Sequence, residues 1–264
     1  MSKLFLMAGT KGGIGKTLVA TLLADLSADA GYRSVLFDCD EENKSLFHAM
    51  SGRKVDQILE RYSLEAEFWN DNFPLDRVLN RLFEIEQNKE HYPGENVFVI
   101  DLKAGSTCKM LEWMKLFPFP MLPELNVELY IVGIVTGDPD SLMTYLPWLK
   151  EFEVRAGQGL VRFLTILNQV DGNGREQFQR YLKPYLEKKL PDAPVIPLEN
   201  LSRRYMTLIR AAGTSYGQIG REGAPQIPEL GFMGTYRIQN EFEKIRQRFA
   251  SLLPPAVETV GEHE

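Results

Sequence analysis

The chain has 264 residues, 44% hydrophobic and 25% charged, with a formal net charge of −6. That is ordinary globular composition, the length suits one large α/β domain or two small ones, and the acidic balance argues against strong constitutive nucleic-acid binding, leaving room for a weak local basic patch. Two cysteines without a CxxC pair argue against a disulfide framework, and with neither a signal peptide nor an apolar run of the roughly 18 residues a membrane span needs, the expected location is the cytoplasm.

Residues 4–8 form a short apolar run, read as a buried strand. It leads into Gly9-Thr10-Lys11-Gly12-Gly13-Ile14-Gly15-Lys16-Thr17. Residues 17–30 then place Leu18, Val19, Leu22, Leu23 and Leu26 at helical spacing, and Gly31 supplies the stop. Strand, glycine-rich loop and helix start, in that order, are the context of a phosphate-binding loop. Gly12, Gly13 and Gly15 let backbone N–H groups converge on phosphate oxygens. Lys16 can reach the terminal phosphates, the Thr17 hydroxyl can ligate Mg²⁺, and the helix dipole favours the anion.

Val35-Leu36-Phe37 is a short buried strand ending in Asp38-Cys39-Asp40. Residues 55–90 read as two helices broken at Asn72-Phe73-Pro74, with Leu59, Tyr62, Leu64, Val78, Leu79, Leu82, Phe83 and Ile85 toward the core. Val97-Phe98-Val99-Ile100 is an uninterrupted apolar run of the kind found in central parallel strands, and it ends at Asp101. Pro118, Pro120 and Pro123 mark a loop. A strand over 129–135, a helix over 142–152 kinked at Pro147, a strand over 161–167 ending at Asn168, and a helix over 177–190 follow. Val195-Ile196 is a short strand before Pro197, and the last helices span 205–212 and 236–253, stopped by Pro254-Pro255. Strands alternating with helices predict an α/β fold, a doubly wound and mainly parallel sheet with helices on both faces. One domain is expected over 1–253, followed by a flexible acidic tail at 254–264.

In such a sheet ligands collect at the C-terminal ends of the strands. Asp38, Asp40 and Asp101 stand there, suited to a metal or an attacking water, or else to capping and turn formation. Asp101, after four apolar residues, sits where a Walker B acid would hold Mg²⁺. Asn168 can both donate to and accept from a purine edge; Asp171, three residues on, keeps guanine open beside adenine. Pro197 and Leu198 offer backbone groups to a base pocket. Cys39 and Cys108 read as buried structural thiols.

The loop resembles the deviant Walker A motif, K-G-G-x-G-K-[ST], of the ParA/MinD family, with Thr10 in place of the usual first glycine. The resemblance implies that Lys11 reaches across a homodimer interface to the partner's nucleotide. It also implies that Lys11 to Leu18 cradle ATP and that Asn168 touches adenine. Thr17, Asp38, Asp40 and Asp101 would then serve Mg²⁺, with Asp40 placing the water and Lys11, Lys16 and Asp40 carrying the slow hydrolysis. Three departures stand out. Leu18 replaces a threonine whose hydroxyl touches the α-phosphate, Glu41-Glu42-Asn43 follows Asp40, and Leu102-Lys103-Ala104-Gly105-Ser106-Thr107 replaces a Pro-Pro-Gly-like turn. The implied function is an ATP-dependent dimerising switch in plasmid partition, stability or conjugal transfer, with a protein partner or activator. Arg203, Arg204, Arg210 and Arg221 read either as a surface for weak nonspecific DNA binding or as scattered solvated arginines. The alternatives are an ATP-dependent ligase resembling dethiobiotin synthetase and the cobyrinate amidases, and a MinD-like membrane-cycling positioner. The second would use the last helix, in which Glu241 and Glu243 dilute Lys244, Arg246 and Arg248; that helix is expected to dock on the core, so membrane attachment is not expected. A cluster carrier like the nitrogenase iron protein would need more thiolates than Cys108 supplies.

Overall fold

The computed structural model describes residues 1–9, 11–40, 43–50, 57–61, 74–168, 172–198 and 202–256. In chain order the elements are β1 (Ser2–Ala8), α1 (Lys16–Asp29), β2 (Arg33–Cys39), α2 (Ser45–Met50), β3 (Gln57–Arg61), α3 (Pro74–Gln87), β4 (Asn96–Leu102), α4 (Thr107–Lys115) and α5 (Met121–Glu124). There follow β5 (Val127–Val135), α6 (Pro139–Gly157), β6 (Arg162–Asn168), α7 (Gly172–Gln177), a π-turn (Phe178–Leu182), α8 (Lys183–Lys189), β7 (Val195–Leu198), α9 (Arg203–Ala211) and α10 (Gly231–Phe249).

The strands form one sheet in the order β3-β2-β4-β1-β5-β6-β7, and every pairing is parallel. The apolar runs explain this. All seven residues of β1 and all seven of β4 are buried, as strands covered on both faces require. Side chains alternate between two cores. Leu4, Leu6 and Ala8 face a cluster with Val78, Trp113, Leu142, Trp148 and Phe178, whereas Phe5 and Met7 face one with Val19, Leu22, Leu46, Ile209 and Phe242. Helices α1, α2, α9 and α10 therefore cover one face, and α3, α4, α6 and the 172–189 segment the other. This is the doubly wound parallel fold the alternation predicts.

One buried polar clamp orders the first face. Asp25 on α1 is fully buried. Its Oδ1 accepts from Ser215 Oγ at 2.8 Å and its Oδ2 from the Gly217 N–H at 2.9 Å, tying α1 to the segment after α9. Beyond α10 the chain returns to the far end of α1, where the Ala256 N–H donates to the Ala30 carbonyl at 2.7 Å.

Several elements differ from their sequence expectation. Gln57–Arg61 is an edge strand, not helix: pairing with β2, Val35 opposite Ile58, overrides the helix-forming character of Leu59 and Glu60. Only one helix, α3, is found in the described part of 55–90; Tyr62, Leu64, Asn72 and Phe73 lie outside the described residues. Helix α6 begins earlier than expected because Asp138 caps it with Pro139 at its first position, and Pro147 lies inside its 19 residues. Last, α10 starts at Gly231 and turns Phe242, Ile245 and Phe249 into the core, as a core-docked helix does. Among the described residues no helix is long and apolar enough to cross a membrane.

Candidate nucleotide-binding site

The site is built where β1 stops. Gly9, Gly13 and Gly15 all have positive φ, at 106°, 76° and 100°, the region that favours glycine. Gly15 has a second constraint, since a Cβ there would stand 2.4 Å from Asn168 Nδ2. Asn168, at the end of β6, donates that same nitrogen to the Ile14 carbonyl at 2.7 Å. The phosphate loop is thus fastened to a strand two places away in the sheet. The other Asn168 amide atom, Oδ1, is buried with no hydrogen-bond partner among the described residues.

Both lysines of the loop are engaged. Lys16 is buried and donates Nζ to the Lys11 carbonyl at 3.1 Å. Burial lowers its pKa, with Asp101 and Asp40 acting the other way. Lys11 points outward and pairs with Asp138 and Asp140, each at 3.1 Å. The two carboxylates hold its pKa above the ordinary lysine value.

The carboxylates come from neighbouring strands. Asp38 on β2 stands opposite Asp101 on β4 in register. Asp101 is buried. Its Oδ2 accepts from the Thr17 hydroxyl at 2.7 Å, while its Oδ1 is buried without a hydrogen-bond partner among the described residues. Burial pushes its carboxyl up to about 7, against the pull of the Thr17 hydroxyl. Asp38 plays a different part. Its oxygens accept from the backbone N–H groups of Asp40, at 3.0 Å, and Phe47, at 2.8 Å, so it ties the end of β2 to α2. Burial raises its pKa in spite of those bonds. Asp40 is held by Asn43, whose side chain donates to its carboxylate at 3.0 Å.

Two cavities open on the loop. One, of about 370 Å³, runs from Lys16, Thr17 and Asp40 between α1, α2 and α9, past Leu18, Ser45, Arg210 and Tyr216. The other, of about 390 Å³, brings Lys11 to Ile14 together with Thr136, Asp138, Asn168 and Arg203. Leu18 thus sits on a cavity wall, where its side chain offers an apolar surface. Pro197 is placed at the end of β7, with its carbonyl accepting from Arg248 of α10 at 2.6 Å. Asp171 lies outside the described residues. Three of the four arginines are on α9: Arg203 shares a cavity lining with Asn168, Arg204 is exposed, and Arg210 donates to Ser45 Oγ at 3.1 Å, while Arg221 pairs with Asp29.

Sequence reasoning missed the partners of Lys11. The signal was present: Asp138-Pro139-Asp140-Ser141 reads as a helix start, directly after β5, at the edge of the sheet where ligands collect.

A polar cradle of glycines, a buried lysine, a threonine on a carboxylate and two unmatched buried acceptors fit a nucleoside phosphate with a divalent cation. Comparison of the sequence with family profiles agrees: residues 5–255 match the CobQ/CobB/MinD/ParA nucleotide binding domain. The chain belongs to that family. A comparison with curated proteins finds no match. Among solved structures, the CobQ/CobB/MinD/ParA chain is similar to a putative plasmid partition protein from Borrelia burgdorferi B31 bound to AMPPNP, at 12% identity and TM-score 0.56 over 96% of this chain and 100% of that one. It is similar to an ATP complex of Cyanothece McdA, at 12% identity and TM-score 0.53 over 94% and 96% of the two chains. The MinC:MinD cell division protein complex of Aquifex aeolicus gives 13% identity and TM-score 0.53 over 93% and 96%. At these identities the likeness is one of fold.

Proposed function

We propose that the chain is a slow ATPase that works as a nucleotide switch, dimerising when it holds ATP. The observation that carries this is the pair at the loop's end. Thr17 and Asp101 are joined at 2.7 Å, with the second Asp101 oxygen buried and unmatched. A buried carboxylate oxygen without a donor is costly unless a cation or proton occupies it. Thr17 and Asp101 would hold Mg²⁺, which when bound neutralises phosphate charge. The glycine cradle holds the phosphates, Lys16 leaves the Lys11 carbonyl for them, and Asn168 Oδ1 accepts from the amino group of adenine. Asp40, on the same cavity as Lys16 and Thr17, positions the attacking water. Lys11, exposed at the mouth, is the residue that would reach a second copy's nucleotide. The family resemblance supports a partition, stability or transfer role with an activating protein partner, and a putative plasmid partition protein is among the chains similar in fold.

The cavity between α1, α2 and α9 favours a second reading. It has room for a small acceptor beside the phosphates, as a phosphoryl-transferring ligase needs. Light scattering separates the two. Under the switch reading wild type dimerises with ATP and not ADP, Asp40→Ala stays dimeric, and Lys11→Ala stays monomeric. A mass indifferent to nucleotide and to Lys11 sinks the switch and favours the ligase.

A further inference from the structure

Lys11 is held by its own chain. Its Nζ lies 3.1 Å from carboxylate oxygens of both Asp138 and Asp140. Those acids stand at the start of α6, carried to the loop because β5 lies beside β1 in the sheet. Asp138 is fixed in place: it caps α6, its Oδ1 accepting from the Asp140 N–H at 2.9 Å, which leaves Oδ2 for the lysine. The Lys11 backbone is fixed too, since its carbonyl accepts from Lys16 Nζ. A lysine paired with two carboxylates of its own chain is not free to extend toward another molecule.

We propose that Asp138 and Asp140 are a latch that restrains Lys11 within its own subunit and so sets the nucleotide level at which two copies assemble. The latch rests on the reading of Lys11 as the residue that crosses to a second copy. Its release follows from the same contacts. A triphosphate in the glycine cradle draws Lys16 away from the Lys11 carbonyl, so the backbone of Lys11 loses its tie. The phosphates also compete with the two carboxylates for the ammonium group. The acids are exposed, so each contact is weak and salt-sensitive. A weak restraint suits a threshold, because a strong one would block assembly.

The test uses the double variant Asp138→Asn, Asp140→Asn, in which asparagine still caps α6. Two readouts are taken. In the nucleotide-free protein, acylation of Lys11 by acetyl N-hydroxysuccinimide is followed by peptide mass spectrometry. In an ATP series, the dimer fraction is followed by light scattering beside wild type and Lys11→Ala. The expected result is faster Lys11 acylation in the double variant and a half-point for dimerisation lowered about two- to five-fold per carboxylate removed, with Asp140→Asn alone giving a smaller shift in the same direction. Unchanged acylation, or a half-point that is unchanged or raised, overturns the latch; if Lys11→Ala still stays monomeric, the switch itself stands. A Lys11→Ala protein that dimerises with ATP overturns the switch reading, and the latch's function with it.

Discussion

Replacing Asp101 by asparagine should stabilise the cation-free protein, and the gain should depend on pH. The carboxyl is buried between β2 and β1, and its pKa moves from 3.8 to about 7, with burial the largest cause and Asp38 adding to it. The folded state therefore holds this proton more tightly than the unfolded chain. The associated stability is fully present below about pH 4 and is lost as pH rises through about 7. A change from 3.8 to about 7 corresponds to on the order of 4 kcal/mol. Asparagine has the same shape, keeps an acceptor for the Thr17 hydroxyl, and carries no charge. Thermal melts in chelated buffer from pH 4 to pH 8 are the assay. The two proteins should nearly coincide at pH 4 and separate steadily, until the variant melts on the order of 10 °C higher at pH 8. Mg²⁺ with nucleotide should then raise wild type and leave the variant with the smaller response. Parallel melting curves across the pH range, or a variant less stable than wild type at pH 8 without cation, would refute this account of the buried carboxylate.

Three further outcomes can be checked. Gly15→Ala meets both a φ of 100° and the Asn168 amide, and should cost about 1–3 kcal/mol and abolish binding of a fluorescent ATP analogue; Gly13→Ala shares the backbone strain of a positive φ, 76°, but has nothing within 4 Å of its Cβ, so it should lose less stability and less binding, and equal losses in the two would count against the Asn168 contact. Asn168→Ala leaves the Ile14 carbonyl without its donor and removes the proposed base acceptor, so ATP should bind about ten-fold more weakly, with a narrower preference over GTP, in a competition titration; an unchanged preference would remove Asn168 from base recognition. Asp25→Ala strips the acceptor from Ser215 and Gly217 in a buried place and should cost about 2–4 kcal/mol in urea unfolding, whereas a loss under about 0.5 kcal/mol would show that the clamp contributes little.

The phosphate loop was legible because it is contiguous: spacing alone carries the cradle, and the short strand before it carries the context. Asp101 was legible for a similar reason, since four apolar residues announce a buried strand and its end. Residues 57–61 were misread because an edge strand is made by its neighbour, and Gln-Ile-Leu-Glu-Arg has no strand signal of its own. The partners of Lys11 were hidden by distance along the chain. Asp140 is 129 residues away, and only the β1–β5 pairing brings it close. Asp38 showed a third limit. Its position suggested a metal or a loop role, and spacing alone did not reveal that its oxygens accept from the backbone N–H groups of Asp40 and Phe47. Leu18 was legible as a missing hydroxyl, but the cavity wall it joins with Arg210 and Tyr216 depends on the segment after α9 being tied to α1 through Asp25.

The return of the chain to Ala30 has a practical side. Ser2 opens β1, and Ala256 is bonded at the close of α1, so both lie on the rim of the sheet away from the phosphate loop, roughly 20 Å from it by the rise of a seven-residue strand. A dye attached at Met1, exposed beside Ser2, or at Pro255, exposed beside Ala256, leaves the nucleotide mouth and Lys11 uncovered. Two copies meeting mouth to mouth would carry such dyes on their outer ends, so energy transfer between singly labelled chains would report assembly in real time without a probe in the site.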